Sequence, residues 1–164
     1  MIKTIEGNIL DSKTDFIIHQ VNCKGEMNTG VAKALRDYDE GIYIHYRCMC
    51  EIYEFNPELL LCAYDKYPIK NGTQTVLSLF AQNDYGYDGK QYTDVEAFRD
   101  GLELIRKDIP VFYLDSDKRY HKTSIALPYK IGCGRGGADW EVIYKIIEDE
   151  LSSYNVELWK LDAG

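Results

Sequence analysis

The sequence predicts a single α/β domain in which a mixed β-sheet is covered by helices on both faces. Three observations lead there. Apolar runs of strand length alternate with segments of helical period along the whole chain, the pattern of a layered sheet. A short connection through Asn71-Gly72 joins two strand-like runs and calls for at least one antiparallel pair. With 164 residues, 45% of them apolar and 28% charged, the chain fits one domain, residues 1–164, with a sizeable core.

Residues 2–6 read as the first strand and residues 8–14 as a polar connection. Residues 16–21 form a short apolar run, a buried strand. From Gly30, the apolar positions Val31, Ala34, Leu35 and Tyr38 fall at helical spacing, and a second helical pattern runs through Ile42, Tyr46, Met49 and Tyr53. Asn56-Pro57 is expected to end it, because proline disfavours helical geometry in the residue before it. Residues 59–63 and 75–81 read as the strands that Asn71-Gly72 connects. Thr93-Asp94-Val95-Glu96 reads as a capping box for a helix that buries Val95, Phe98, Leu102 and Ile105. Residues 109–122 are ambiguous, and Val111-Phe112-Tyr113-Leu114 is a strand or a packed loop. Residues 124–129 make a strand, Asp139 caps a last helix with the stripe Ile143, Ile146, Ile147 and Leu151, and residues 156–161 close the chain as a strand.

Composition excludes several classes of function. The formal net charge of −8 disfavours tracking a nucleic-acid backbone, although backbone N–H groups can still hold a small anion. No run of about 18 apolar residues marks a membrane helix, and residues 1–6 lack the apolar core of a signal peptide. Five cysteines (Cys23, Cys48, Cys50, Cys62 and Cys133) are an odd set without metal-site spacing. The expectation is a reduced, cytoplasmic protein with no metal and no cofactor.

The densest chemical signal is Ile131-Gly132-Cys133-Gly134-Arg135-Gly136-Gly137-Ala138-Asp139-Trp140, which joins a strand to a helix. Its glycines free the backbone to approach a ligand, and the following helix is expected to offer unpaired N–H groups to an anion. Met27-Asn28-Thr29-Gly30-Val31-Ala32 repeats the arrangement, so the two loops suggest a diphosphate held from both sides. A tight structural turn is the plainer alternative for the glycines. Gly132-x-Gly134-x-x-Gly137 also matches the dinucleotide fingerprint, with Asp162 about 25 residues on. A Rossmann domain, however, places that loop in its first βαβ unit, with more chain to follow.

At four places the chain resembles the macrodomains, which bind ADP-ribose: Gly7-Asn8-Ile9-Leu10, the run from Val21 to Ala32, the loop from Ile131 to Gly137, and Asp139-Trp140. The resemblance spans nearly the whole chain in the family's order. It is nearest the small bacterial, phage and eukaryotic branch that processes ADP-ribose-1″-phosphate and hydrolyses ADP-ribosyl linkages. It implies a three-layer α/β/α fold and ADP-ribose or an ADP-ribosylated substrate as partner, with no membrane and no sequence-specific nucleic acid. Asn8 and Ile9 would lie at the adenine end, where the family usually carries Asp in place of Asn8. Asn22 would lie near the distal ribose, with Met27, Asn28, Thr29, Gly30, Val31 and Ala32 as the first phosphate loop. Gly132, Cys133, Gly134, Arg135, Gly136 and Gly137 would be the second, and Gln82, Asn83 and Tyr85 would approach the distal ribose.

One departure bears on mechanism. Hydrolases of this branch use a lysine just after the strand matching residues 77–81, and some use an acid within the second loop. Here no lysine stands between Ala81 and Lys90, and Gly136 stands where the acid would be. The expected catalytic groups are therefore Asp84 or Asp139 as a general base for water, beside Asn22. Each has a plainer reading: Asp84 as a solvated loop carboxylate, Asp139 and Asn22 as caps. His19 reads as a core residue, Arg135 as a phosphate or solvent contact, Lys130 as a charge partner, and Trp140 as packing beneath the loop. Tyr85, Tyr87 and Tyr92 could flank a base or ribose. The resulting expectation is a hydrolase of ADP-ribosyl linkages or ADP-ribose-1″-phosphate. The alternatives are a non-catalytic ADP-ribose reader and a site for another nucleotide.

Overall fold

The computed structural model describes residues 2–86, 88, 90–114 and 119–161. In chain order the elements are β1 (Ile2–Glu6), β2 (Phe16–Asn22), α1 (Gly30–Tyr38), α2 (Glu40–Ile52), α3 (Pro57–Leu60), β3 (Tyr64–Ile69) and β4 (Gln74–Gln82). There follow α4 (Val95–Asp108), β5 (Phe112–Leu114), β6 (Tyr120–Lys122), β7 (Ser124–Pro128), α5 (Trp140–Glu150) and β8 (Asn155–Lys160). Six strands form one sheet in the order β1-β8-β7-β2-β4-β3. Every neighbouring pair is parallel except β3 with β4, which gives the mixed sheet that the sequence predicts.

Alternation within the central strands divides the core in two. Phe16 and Ile18 of β2, with Leu77 and Leu79 of β4, pack beneath α4 and α5 against Phe98, Leu102, Ile143 and Ile147. Ile17, Val21, Val76 and Phe80 point the other way, toward Leu35 of α1 and Ile42 and Tyr46 of α2. Burial on both faces is why these parallel strands read as nearly continuous apolar runs. No helix among the described residues is long and apolar enough to cross a membrane.

Several local expectations shift. Residues 59–63 are not a strand: Asn56 Oδ1 accepts from Glu58 N–H at 3.0 Å, and Pro57 opens the helical turn α3. The strand that pairs with β4 begins at Tyr64 and lies at the sheet edge, where Pro68 is tolerated. α2 ends at Ile52 through left-handed Glu54 and Phe55, ahead of Asn56-Pro57. Asp94, not Thr93, caps α4, its carboxylate accepting from Ala97 N–H at 2.9 Å. Phe112–Leu114 is a strand, paired with β6 in a separate ribbon.

The topology also fixes where a ligand can enter. From β2 the chain passes through α1 and α2 toward β4, while from β7 it passes through α5 to β8 on the other side. Neighbours β2 and β7 thus feed helices on opposite faces, and a crevice opens beyond their carboxyl ends.

Candidate functional site

A cavity of about 270 Å³ occupies that crevice. Gly30, Val31 and Ala32 line it on one side, and Gly132, Gly134 and Gly136 on the other. Both glycine-bearing loops therefore border a single cleft.

The first loop leaves its helix open. Thr29 stands at the N-cap of α1 without a side-chain hydrogen bond, and the first turn carries no acid. Among the described residues, the N–H groups of Gly30, Val31 and Ala32 have no protein acceptor. They present the positive end of the helix dipole to the cavity. Gly30 has φ +62° and open space where a Cβ would stand.

The second loop works without its helix. Asp139 Oδ1 accepts from Glu141 N–H at 2.9 Å, the cap that the sequence predicts, so one first-turn donor of α5 is taken, and neither Trp140 nor Glu141 lines the cavity. The loop's own amides supply the donors instead. Thr93 Oγ1 donates to Gly132 O at 2.8 Å, and Tyr92 and Thr93 N–H donate to Gly136 O at 2.7 and 2.9 Å. With those carbonyls engaged, the N–H groups of Gly132, Gly134 and Gly136 have no protein acceptor among the described residues. Gly136 is sterically required, since a Cβ there would lie 2.0 Å from Thr93 Oγ1, whereas one at Gly134 would meet nothing within 4 Å.

Gln20 and Thr93 brace this arrangement, Thr93 in place of the capping role that the sequence suggests and Gln20 in one that it does not. Gln20 Nε2 donates to Gln82 Oε1 at 2.7 Å and to Thr93 Oγ1 at 2.8 Å, while Gln82 Nε2 donates to Asp84 O at 2.7 Å. The only hint was a polar Gln20 within an apolar strand.

Asn22 is buried and lines the cavity, but most of its amide is committed to the protein. Oδ1 accepts from Lys24 N–H at 2.9 Å and Glu26 N–H at 3.4 Å, and Nδ2 donates to Glu26 O at 3.0 Å. Gln82, Tyr85, Asn28, Thr29 and Arg135 also line the cavity, and the Arg135 guanidinium lies 5.1 Å from the Tyr85 ring centre. Lys130 lines it too, with Nζ 5.9 Å from the Tyr129 ring centre. Outside the lining stand Asn8, Ile9, Met27, Asn83, Asp84, Cys133, Gly137 and Asp139. Asn8 Oδ1 accepts from Leu10 N–H at 2.9 Å, while Ile9 and Met27 are core residues. Asp84 Oδ1 accepts from Tyr85 N–H at 2.8 Å. Trp140 packs edge-on against Tyr129 and Tyr144, as its reading requires. Tyr92 holds Asp88 through its hydroxyl at 2.8 Å. Tyr87 and Asp162 lie outside the described residues.

Burial sets the protonation of two nearby groups. It pulls His19 down to about 3, leaving a neutral imidazole ring whose Nε2 is 2.7 Å from Ser78 Oγ. It pushes the Cys133 thiol up to about 11, so no thiolate nucleophile forms there near neutral pH.

No family model matches the chain. Over 61 residues it is 36% identical to an ADP-ribose 1″-phosphate phosphatase of Aspergillus oryzae, a match spanning 37% of this chain and 30% of that relative. The macrodomain of Thermus aquaticus DarG superposes with a TM-score of 0.71 at 22% identity, covering 99% of this chain and 98% of that one. Thermosipho africanus DarTG in complex with ADP-ribose gives 0.72 at 18% identity, covering 99% of this chain and 42% of that one. The fold is that of a macrodomain.

Proposed function

We propose that this chain, a macrodomain by fold, binds ADP-ribose and hydrolyses an ADP-ribosyl linkage or ADP-ribose-1″-phosphate. The observation that carries the reading is that Gly30–Ala32 and Gly132, Gly134 and Gly136, whose N–H groups have no protein acceptor among the described residues, line one cavity. Two sets of amides across a narrow cleft suit two linked phosphates, and they bind anions without spending lysines in an acidic protein. In this reading Asn22, Gln82 and Tyr85 face the distal ribose, and Asn8 and Ile9 lie toward the adenine. The phosphatase relative and the ADP-ribose complex of a similar fold support this ligand class.

A non-catalytic reader is the second reading, favoured by the lack of any lysine between Gln82 and Lys90. Calorimetric titration with ADP-ribose, ADP and NAD, combined with turnover assays, separates the two. The assays use ADP-ribose-1″-phosphate, ADP-ribosylated protein and ADP-ribosylated DNA. Selective binding of ADP-ribose with release of product supports the hydrolase. Binding without turnover leaves the reader, and preference for another nucleotide contradicts both.

A further inference from the structure

We propose that Glu26 is the general base of this hydrolysis, an inference that rests on the hydrolase reading above. Glu26 is the one carboxylate among the described residues that line the cavity; Asp84 and Asp139 are not part of that lining. The register of the sheet puts it beside the residues assigned above to the distal ribose. Asn22 pairs with Gln82 across β2 and β4, and the Asn22 side chain grips both Glu26 N–H and Glu26 O.

That grip is itself anchored. The hydroxyl of fully buried Tyr46 sits 2.7 Å from Asn22 O and 2.9 Å from Asn22 Oδ1. On the side chain, Asn28 Nδ2 donates to Glu26 Oε2 at 2.5 Å, and Asn28 also lines the cavity. Asn28 Oδ1 in turn accepts from Arg36 Nη1 at 3.5 Å. Oε1 has no protein donor among the described residues and is left to take a proton from water.

Charge points the same way. A carboxylate in a diphosphate pocket opposes ligand binding by Coulomb repulsion. A group that weakens affinity, yet is held by its backbone and one carboxylate oxygen, has its use in the reaction.

In the step itself, Glu26 Oε1 accepts a proton from water as the water oxygen bonds to C1″ of the distal ribose. The C1″–O bond to the leaving group breaks, and that oxygen departs with the electron pair as a carboxylate or phosphate. The products are ADP-ribose, the anion and a proton that Glu26 returns to solvent. Such leaving groups need no general acid. The step suits an ester of a carboxylate or the 1″-phosphate, the linkages of the hydrolase reading above.

The test uses the full chain with Glu26→Gln and Glu26→Asp, measuring ADP-ribose affinity and turnover of ADP-ribose-1″-phosphate and of protein carrying ADP-ribosyl-glutamate. Glu26→Gln should lower kcat by about 100-fold or more, the usual scale for a lost general base. It should also leave ADP-ribose bound as tightly or more tightly. Glu26→Asp should recover part of the rate. Wild-type kcat in Glu26→Gln, or equal losses of binding and rate, overturns the role of Glu26 while the hydrolase reading stands. Micromolar ADP-ribose binding by wild type without any turnover overturns the hydrolase reading and this inference together.

Discussion

Two helices follow glycine-bearing loops in this molecule, and they begin in opposite ways. α1 starts at Thr29 and Gly30 with no side-chain cap and no acid in its first turn, open to the cavity. α5 starts at Asp139 with its carboxylate on Glu141 N–H and with Glu141 in its first turn, so one first-turn donor is taken and an acid stands by the others, away from the cavity lining. α2, α3 and α4 resemble α5, with side-chain caps from Asp39, Asn56 and Asp94. A glycine loop before a helix is thus not in itself an anion site. What decides is whether the protein has already spent the N–H groups, and at the second loop the free donors belong to the loop and not to the helix.

Substitutions can break or sharpen that contrast. The largest effect is expected at Gly134, where a side chain has space in the protein but would meet the proposed ligand. Gly134→Glu should weaken ADP-ribose binding by more than about 100-fold through bulk and like charge, with a melting temperature close to wild type. Unchanged affinity in a titration would remove the second loop from the site.

Between the two loops runs β2, and His19 on it titrates abnormally. Its pKa of about 3 in the folded protein lies below the ordinary 6.5, so the unfolded chain takes up the proton first. Stability is therefore fully present above pH 6.5 and declines toward pH 3, with a slope of up to about 1.4 kcal/mol per pH unit. In denaturant titrations across that window, His19→Gln should show a shallower decline than wild type. Parallel curves would return the loss to other groups.

Thr29→Asp makes the start of α1 resemble that of α5. The new cap should stabilise the protein by about 0.5–1 kcal/mol, while competing for the open amides and weakening ADP-ribose binding by about 10-fold. Unchanged affinity would mean that the open terminus of α1 does not contact the ligand. The smallest binding effect is expected from the converse change. Asp139→Ala should cost about 1 kcal/mol of stability and leave affinity within about two-fold of wild type. A large loss of affinity there would place the anion at α5 after all.

The layers, the antiparallel pair and both loops were legible because each rests on a local pattern: apolar runs, an Asn71-Gly72 turn, glycines ahead of helical period. The strand assigned to residues 59–63 failed because Asn56 and Pro57 start a helix there, a local signal read as a stop and not as a start. Thr93 was misread for a subtler reason. Thr93 and Asp94 are both acceptable caps by sequence, and only the fold shows that Thr93 is occupied by Gln20 and Gly132. Gln20 carries a faint signal, a polar residue in an apolar strand, whereas nothing local marks Glu26, whose place in the cavity comes from β2, β4 and the loops meeting in space. The closed start of α5 was present in the sequence as Asp139, but its consequence for ligand binding needed the geometry.

The most direct test of the central claim follows backbone amide resonances by NMR as ADP-ribose is added. The account predicts that the N–H signals of Gly30, Val31, Gly132, Gly134 and Gly136 shift together along one saturation curve, while that of Glu141 stays in place. Shifts confined to one loop, or centred on Glu141, would contradict it.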